Sequence, residues 1–249
     1  MVKIPIAKGI VRYSFEPHPG KHFSDTIYAL ISGKNVLLID AGYESEGGKV
    51  AEDLVKNGLE LTGVIISHFH DDHMQGLKAL RDVPVYGSSR YQQTLDLWTE
   101  KVEHEGFTPT VTVENTFAFS FGPHRISIIP SPGHSACTVL VDIDGVYLHV
   151  ADELMFSPEQ EPILPVADPG CLGCHIETLI KLKAYKTYTL LPAHGLPLCG
   201  AEEITRQIEK RLAYLTAMSN SNRRLSYEEA SRESGGFLHS EWHSDNYSE

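Results

Sequence analysis

Between residues 68 and 73 the chain reads His68-Phe69-His70-Asp71-Asp72-His73. Three imidazoles and two carboxylates packed this closely repel and desolvate one another unless a cation joins them. The fold must therefore deliver this run to a place where a cation can sit. Directly before it comes Thr62-Gly63-Val64-Ile65-Ile66-Ser67, a short apolar strand of the kind covered on both faces. Side chains two apart in extended backbone share a face, so His68 and His70 can reach one ion. Asp72 and His73 follow where the chain turns into a helix, and they point toward a second ion. Imidazole with carboxylate suits zinc, and also iron, manganese or cobalt.

Three more donors stand at predicted strand ends. His134 follows Ser131-Pro132-Gly133, Asp152 follows the strand Val146 to Val150, and His194 lies in Pro192-Ala193-His194-Gly195. Loops at strand ends are where separate segments of an α/β domain converge on a site. By contrast His18, His104, His124, His149, His239 and His243 stand alone. They read as surface or satisfied core residues.

The remaining pattern is strands with interspersed helices, which implies a layered α/β domain. Thr26–Ile31 and Val36–Ile39 form a hairpin about Ser32-Gly33-Lys34-Asn35, and Gly47-Gly48 precedes a helix over Lys49–Asn57. Residues 88 to 104 read as one helix. Strands follow at 111–113, 117–121, 125–130, 138–143 and 146–150, with Asp144-Gly145 as a hairpin turn. A helix over 176–185, a strand over 187–191 and a helix over 201–218 complete the domain. Beyond Ser219 the chain turns polar, with one short helix near Ser226 to Glu233 and loosely held final residues.

The chain has 33 acidic and 21 basic residues, a net charge of −12. That field repels phosphate backbones, so nucleic acid is a poor substrate. No apolar run reaches the roughly 20 residues of a membrane-spanning helix. No export signal is read at the N-terminus. The expected partner is thus a small-molecule substrate met in the cytoplasm, with no nucleic acid and no membrane; oligomeric state is open, a homodimer included. Cys137, Cys171, Cys174 and Cys199 read as reduced thiols. Cys171-Leu172-Gly173-Cys174-His175 matches the c-type haem attachment pattern. Within a domain read as unexported, it is expected to be a loop and a helix start.

These motifs resemble the metallo-β-lactamase superfamily over residues 10–218, and its glyoxalase II-like and lactonase-like branch in particular. His68 to His73 is similar to the family's His-x-His-x-Asp-His, and Asp40-Ala41-Gly42 to its Asp-x-Gly. Pro132-Gly133-His134-Ser135 stands for Pro-Gly-His-(Ser/Thr), Asp152 for the bridging aspartate, and Pro192-Ala193-His194-Gly195 for Pro-Gly-His-Gly. All occur in family order. The resemblance implies a four-layer αβ/βα sandwich over residues 1–218, with residues 219–249 as a short polar C-terminal extension. It implies two divalent ions, zinc first and iron or manganese as alternatives. His68, His70 and His134 would take one, Asp72, His73 and His194 the other, with Asp152 bridging. Asp40 would hold the metal-binding loop.

The chain also departs from the family pattern. Gln75 stands where glycine is common, and Ala151 and Ala193 replace glycines beside two ligands. Met155 occupies the place of the tyrosine that quorum-signal lactonases carry. Only about 30 residues follow Met218, too few for the glutathione-binding domain of glyoxalase II. Zinc β-lactamases proper lack the bridging carboxylate. His22, Phe23, Met155, Phe156, Cys174 and His175 are expected at the substrate lip. The implied chemistry is hydrolysis of an ester, thioester or lactone carbonyl by a metal-bridging hydroxide, with Asp72 relaying a proton to the leaving group. Two rivals share the family: a persulfide dioxygenase with one iron on His68, His134 and Asp152, and a regulator that binds metal or ligand without catalysis.

Overall fold

The computed structural model describes all residues except 81, 101–102, 222–223 and 248–249. Two sheets face each other. The first runs β1 (Val2–Ala7), β2 (Ile10–Ser14), β3 (Thr26–Ser32), β4 (Asn35–Ile39), β5 (Glu60–Ile65), β6 (Val85–Ser88) and β7 (Val111–Val113) in that spatial order. The second runs β12 (Thr189–Pro192), β11 (Tyr147–Ala151), β10 (Val139–Ile143), β9 (His124–Pro130) and β8 (Phe117–Phe121). On the outer face of the first sheet lie α1 (Glu44–Lys56), the single turn α2 (Asp71–Met74) and α3 (Tyr91–Trp98), with the short α4 (His104–Phe107) beside them. Against the second lie α5 (Leu172–Leu182) and α6 (Ala201–Asn220), with α7 (Tyr227–Ala230) packed on α6. This is the expected four-layer αβ/βα sandwich.

The period of two along each strand builds the layers. In β4, Leu37 and Ile39 point into the space between the sheets, while Val36 and Leu38 point toward the helices. Tyr28 and Leu30 divide from Ile27 and Ala29 in the same way in β3. Both faces are apolar, so alternation alone cannot fix the register. The turn fixes it: Ser32 pairs with Asn35 across Gly33-Lys34, and Gly33 supplies the positive φ of +63° that such a turn needs. Asp144 and Gly145 both have positive φ, +63° and +69°, as the expected β10–β11 turn requires.

Three expectations change. The helix expected from Lys49 begins at Glu44, with the Glu46 side chain accepting from the Tyr43 N–H in a capping box. Gly47 and Gly48 lie inside it. A Cβ on Gly47 would come within 2.7 Å of Gly76, and one on Gly76 within 2.0 Å of the Ala41 carbonyl, so the glycines let α1 and the metal-motif turn touch backbone to backbone. Second, the single helix expected over 88–104 is broken: α3 stops at Trp98, and Thr99 is extended. Third, the final segment is tied down. Leu238 exchanges backbone hydrogen bonds with Pro162 and Leu164, and Ala230 and Phe237 join the core beneath α6. A 3-10 stretch, Ser240–Tyr247, then lies beside a cavity that Trp242 and Asp245 help to line.

Candidate metal centre

The donors come from both sheets. The end of β5 launches His68 and His70, and α2 carries Asp72 and His73. The second sheet supplies His134 after β9, Asp152 after β11 and His194 after β12. Cross-sheet hydrogen bonds hold the last loop: Arg12 Nη2 donates to the Gly195 carbonyl at 2.7 Å, and Tyr28 Oη to the Pro192 carbonyl at 3.1 Å.

Asp152 stands at the centre. Its Oδ2 lies 3.2 Å from His194 Nε2, 3.5 Å from His73 Nε2, 3.8 Å from His134 Nε2 and 3.9 Å from His68 Nε2. His70 Nδ1 lies 3.1 Å from both His68 Nε2 and His134 Nε2. Asp72 is 3.6 Å from His73 Nε2 and 3.7 Å from His194 Nε2. The donor atoms thus fall into a group of His68, His70 and His134 and a group of Asp72, His73 and His194, while Asp152 lies within reach of both.

Each imidazole has its other nitrogen anchored, which sets the ring and the tautomer. His70 Nε2–H donates to Asp168 at 3.0 Å, His134 Nδ1–H to the Val166 carbonyl at 2.9 Å and His194 Nδ1–H to the Ser24 carbonyl at 3.2 Å. His73 Nδ1–H donates to Asp40 at 3.0 Å, and His68 Nδ1 meets Ser67 Oγ at 3.2 Å. Asp40, with a φ of +63°, also accepts from the Ser67 N–H and hydroxyl. These contacts tie His73 to the end of β5. His149, read as a surface or satisfied core residue, packs fully buried 3.6 Å from Asp40 with neither ring nitrogen in a hydrogen bond.

The freed nitrogens and oxygens fit a cation. His73 Nε2, His194 Nε2 and Asp152 Oδ1 are buried without a hydrogen-bond partner, an arrangement that costs several kcal/mol unless compensated (about 1–3 kcal/mol per group). Burial, with His73 and His70 nearby, pushes the His68 pKa well below the usual imidazole range. Burial lowers His134 too. Burial opposes charge on His194, but Asp152, Asp72 and Asp25 together outweigh it and lift the pKa to about 9. His73 is raised likewise, by Asp152, Asp40 and Asp72 against its burial. His194 and His73 hold Asp152 ionised despite burial. The Asp72 side of the centre therefore demands positive charge.

A cavity of about 390 Å³ opens onto this centre between Phe23, Tyr43, Trp98, Met155, Trp242 and Asp168, with Lys21 at its edge. Of the residues expected at the lip, Phe23 and Met155 line it. His22 is exposed and does not line it; its backbone N–H donates to His239 Nε2 at 3.2 Å. Phe156 does not reach the lip: it is buried beneath the Arg211 guanidinium, 4.7 Å from its ring, because the β11 loop turns it into the core under α6. Cys174 lines a separate cavity beyond Asp168. His175 is fully buried 3.1 Å from Glu153, since the helix it belongs to starts four residues before the expected Ile176. In that place it is no axial haem ligand.

Sequence reasoning missed Asp168, Trp98, Tyr43, Trp242 and Lys21. Asp168 accepts from His70 and from Trp98 Nε1 at 2.8 Å, and burial notwithstanding, these partners keep its pKa low. The only local signal was a carboxylate just before the Pro169-Gly170 turn, and such turns are commonplace.

The chain is similar to known proteins. Residues 22–194 match the family described as the Metallo-beta-lactamase superfamily. Probable metallo-hydrolase YqgX of Bacillus subtilis is 24% identical over 190 residues, which is 70% of this chain and 82% of the relative. A hydroxyacylglutathione hydrolase of Haemophilus ducreyi is 30% identical over 173 residues, covering 68% of this chain and 64% of the relative. Against the same-named protein of Neisseria meningitidis the chain spans 50% of the relative's length. A metallo-beta-lactamase from Pontibacter korlensis superposes with a TM-score of 0.69 at 17% identity, covering 86% of this chain and 98% of that one; this likeness carries the fold. Among the described residues, no helix is long and apolar enough to cross a membrane. With a family match over more than half its length and the family's fold around its donors, the chain belongs to the metallo-beta-lactamase superfamily.

Proposed function

We propose that the protein is a metal-dependent hydrolase that cleaves an ester, thioester or lactone carbonyl of a small molecule at a centre for two divalent ions, zinc first. The observation that supports it is the convergence on Asp152 of four imidazole nitrogens whose rings are tied from behind. Bound divalent ions would lower the pKa of a water toward neutrality and polarise the substrate carbonyl. The chain's own residues do the rest. Asp72, 14% exposed and facing the cavity, is placed to pass a proton to the leaving group. Phe23, Trp98 and Trp242 supply the apolar walls that exclude bulk water. Lys21 offers a cation to an anionic substrate tail. The relatives named as hydroxyacylglutathione hydrolases favour a thioester among the three carbonyl classes.

A panel of thioesters, lactones and phosphodiesters tests the reading. Zinc-loaded protein is expected to hydrolyse a carbonyl substrate, and His70→Ala to lose at least about 100-fold in kcat/KM. Full activity in His70→Ala would overturn the metal-centred reading, and inactivity on the whole panel would overturn the hydrolase. Metal analysis separates the oxygenase rival, which holds a single iron per chain.

A further inference from the structure

A second cluster of metal-ligating side chains lies outside this centre. His18 Nε2 stands 3.4 Å from Asp25 Oδ2 and 3.4 Å from Glu46 Oε1, and all three donor atoms lie within 4.8 Å of one another. Both carboxylates are buried, at 3% side-chain exposure each. The cluster joins two segments: His18 and Asp25 lie in the β2–β3 loop, and Glu46 sits in the first turn of α1.

Each donor is aimed. The Tyr43 N–H binds Glu46 Oε2 at 3.0 Å, which leaves Oε1 to face His18. Gly42 makes the room, since a Cβ there would stand 2.6 Å from Glu46 Oε2. The edge-on Tyr43 ring, 4.6 Å from that of His18, sets the imidazole plane. Asp25 turns its other oxygen, Oδ1, to His194 Nδ1 at 3.4 Å, which leaves Oδ2 to face His18.

Charge and spacing decide what the cluster is built to hold. Among the described residues no lysine or arginine pairs with Asp25 or Glu46. His194 also approaches Asp25, 3.4 Å from Oδ1, but an imidazole that ligates the centre is neutral; His18 alone as an imidazolium then leaves a buried negative charge over, whereas a divalent ion balances both carboxylates. Tetrahedral donors about 2.1 Å from zinc stand about 3.4 Å apart, the spacing that His18 keeps to each carboxylate. We propose that His18, Asp25 and Glu46 bind a further divalent first-row ion, zinc by this spacing, with its remaining positions open to water through the half-exposed His18. The ion pins the β2–β3 loop to α1. It thereby steadies Phe23 at the cavity wall and the Ser24 carbonyl that anchors His194.

The full chain, dialysed against Zn²⁺ and analysed for metal per protein, tests this beside His18→Ala and Glu46→Gln. Both variants are expected to hold one ion fewer than the parent chain, whatever the parent's total. His70→Ala is expected to keep that ion, so failure of the hydrolytic centre and failure of this site give different counts. His18 is partly exposed, and circular dichroism would confirm that its variant folds. An unchanged count in both variants would overturn the site, and the cluster would then be an imidazolium–carboxylate ion pair. A loss of more than one ion would overturn it too, since the cluster would then only support the neighbouring centre.

Discussion

Ala151 has a φ of +48° and no exposure to solvent. A Cβ in left-handed backbone costs about 1–2 kcal/mol, yet the chain accepts that cost one residue before Asp152. The bend carries Asp152 out of β11 and into the midst of four imidazoles, and the register shift between His149 and Ala151 in the β11–β12 pairing records it. Ala151→Gly relieves the strain but adds freedom to the unfolded chain worth about 0.4–1 kcal/mol. Urea denaturation of the metal-free variant is therefore expected to show a stabilisation of up to about 1.5 kcal/mol. A clear loss would mean that the alanine methyl is needed where it packs. Asp40, at φ +63°, meets the same demand with a residue that tolerates left-handed backbone.

At the scale of elements, what could be read from the sequence was local. The β3–β4 and β10–β11 hairpins carry their turn chemistry with them, and the His68–His73 run declares itself within six residues. His134, Asp152 and His194 were found because each follows a recognisable strand. The pocket was less legible because its walls are joined only by tertiary structure. Asp168 reaches His70 across 98 residues of sequence and Trp98 across 70. The helix misread as continuous to His104 breaks after Trp98, where extended, β-branched Thr99 lets the indole turn to the Asp168 carboxylate. This contact makes Asp168 the support of the His70 ring. Asp168→Asn keeps the shape but weakens the charge behind His70. It is expected to lower metal affinity or kcat/KM by roughly 10–100-fold with little change in Tm. Metal titration followed by kinetics checks it, and parent-like values for both would remove Asp168 from the support of the site.

For the whole molecule, the decisive fact is that the hydrolytic donors are shared between the sheets. His68, His70, Asp72 and His73 belong to the first sheet's edge of the cleft, and His134, Asp152 and His194 to the second's. An ion that binds both sets binds only the assembled sandwich. At free zinc about 100 times the dissociation constant it adds about 2.7 kcal/mol to stability, and about 2–4 °C in Tm per kcal/mol for a chain of this size. Calorimetry in zinc and in chelator is expected to show Tm rising with metal concentration; superimposed transitions would contradict the shared centre. The same closure bears on how long the protein lasts. Once stripped of its ions, the two halves part more often and offer their loops to proteases. Metal supply would then set the abundance of this protein as well as its turnover, and scarcity would be felt as degradation on top of lost catalysis.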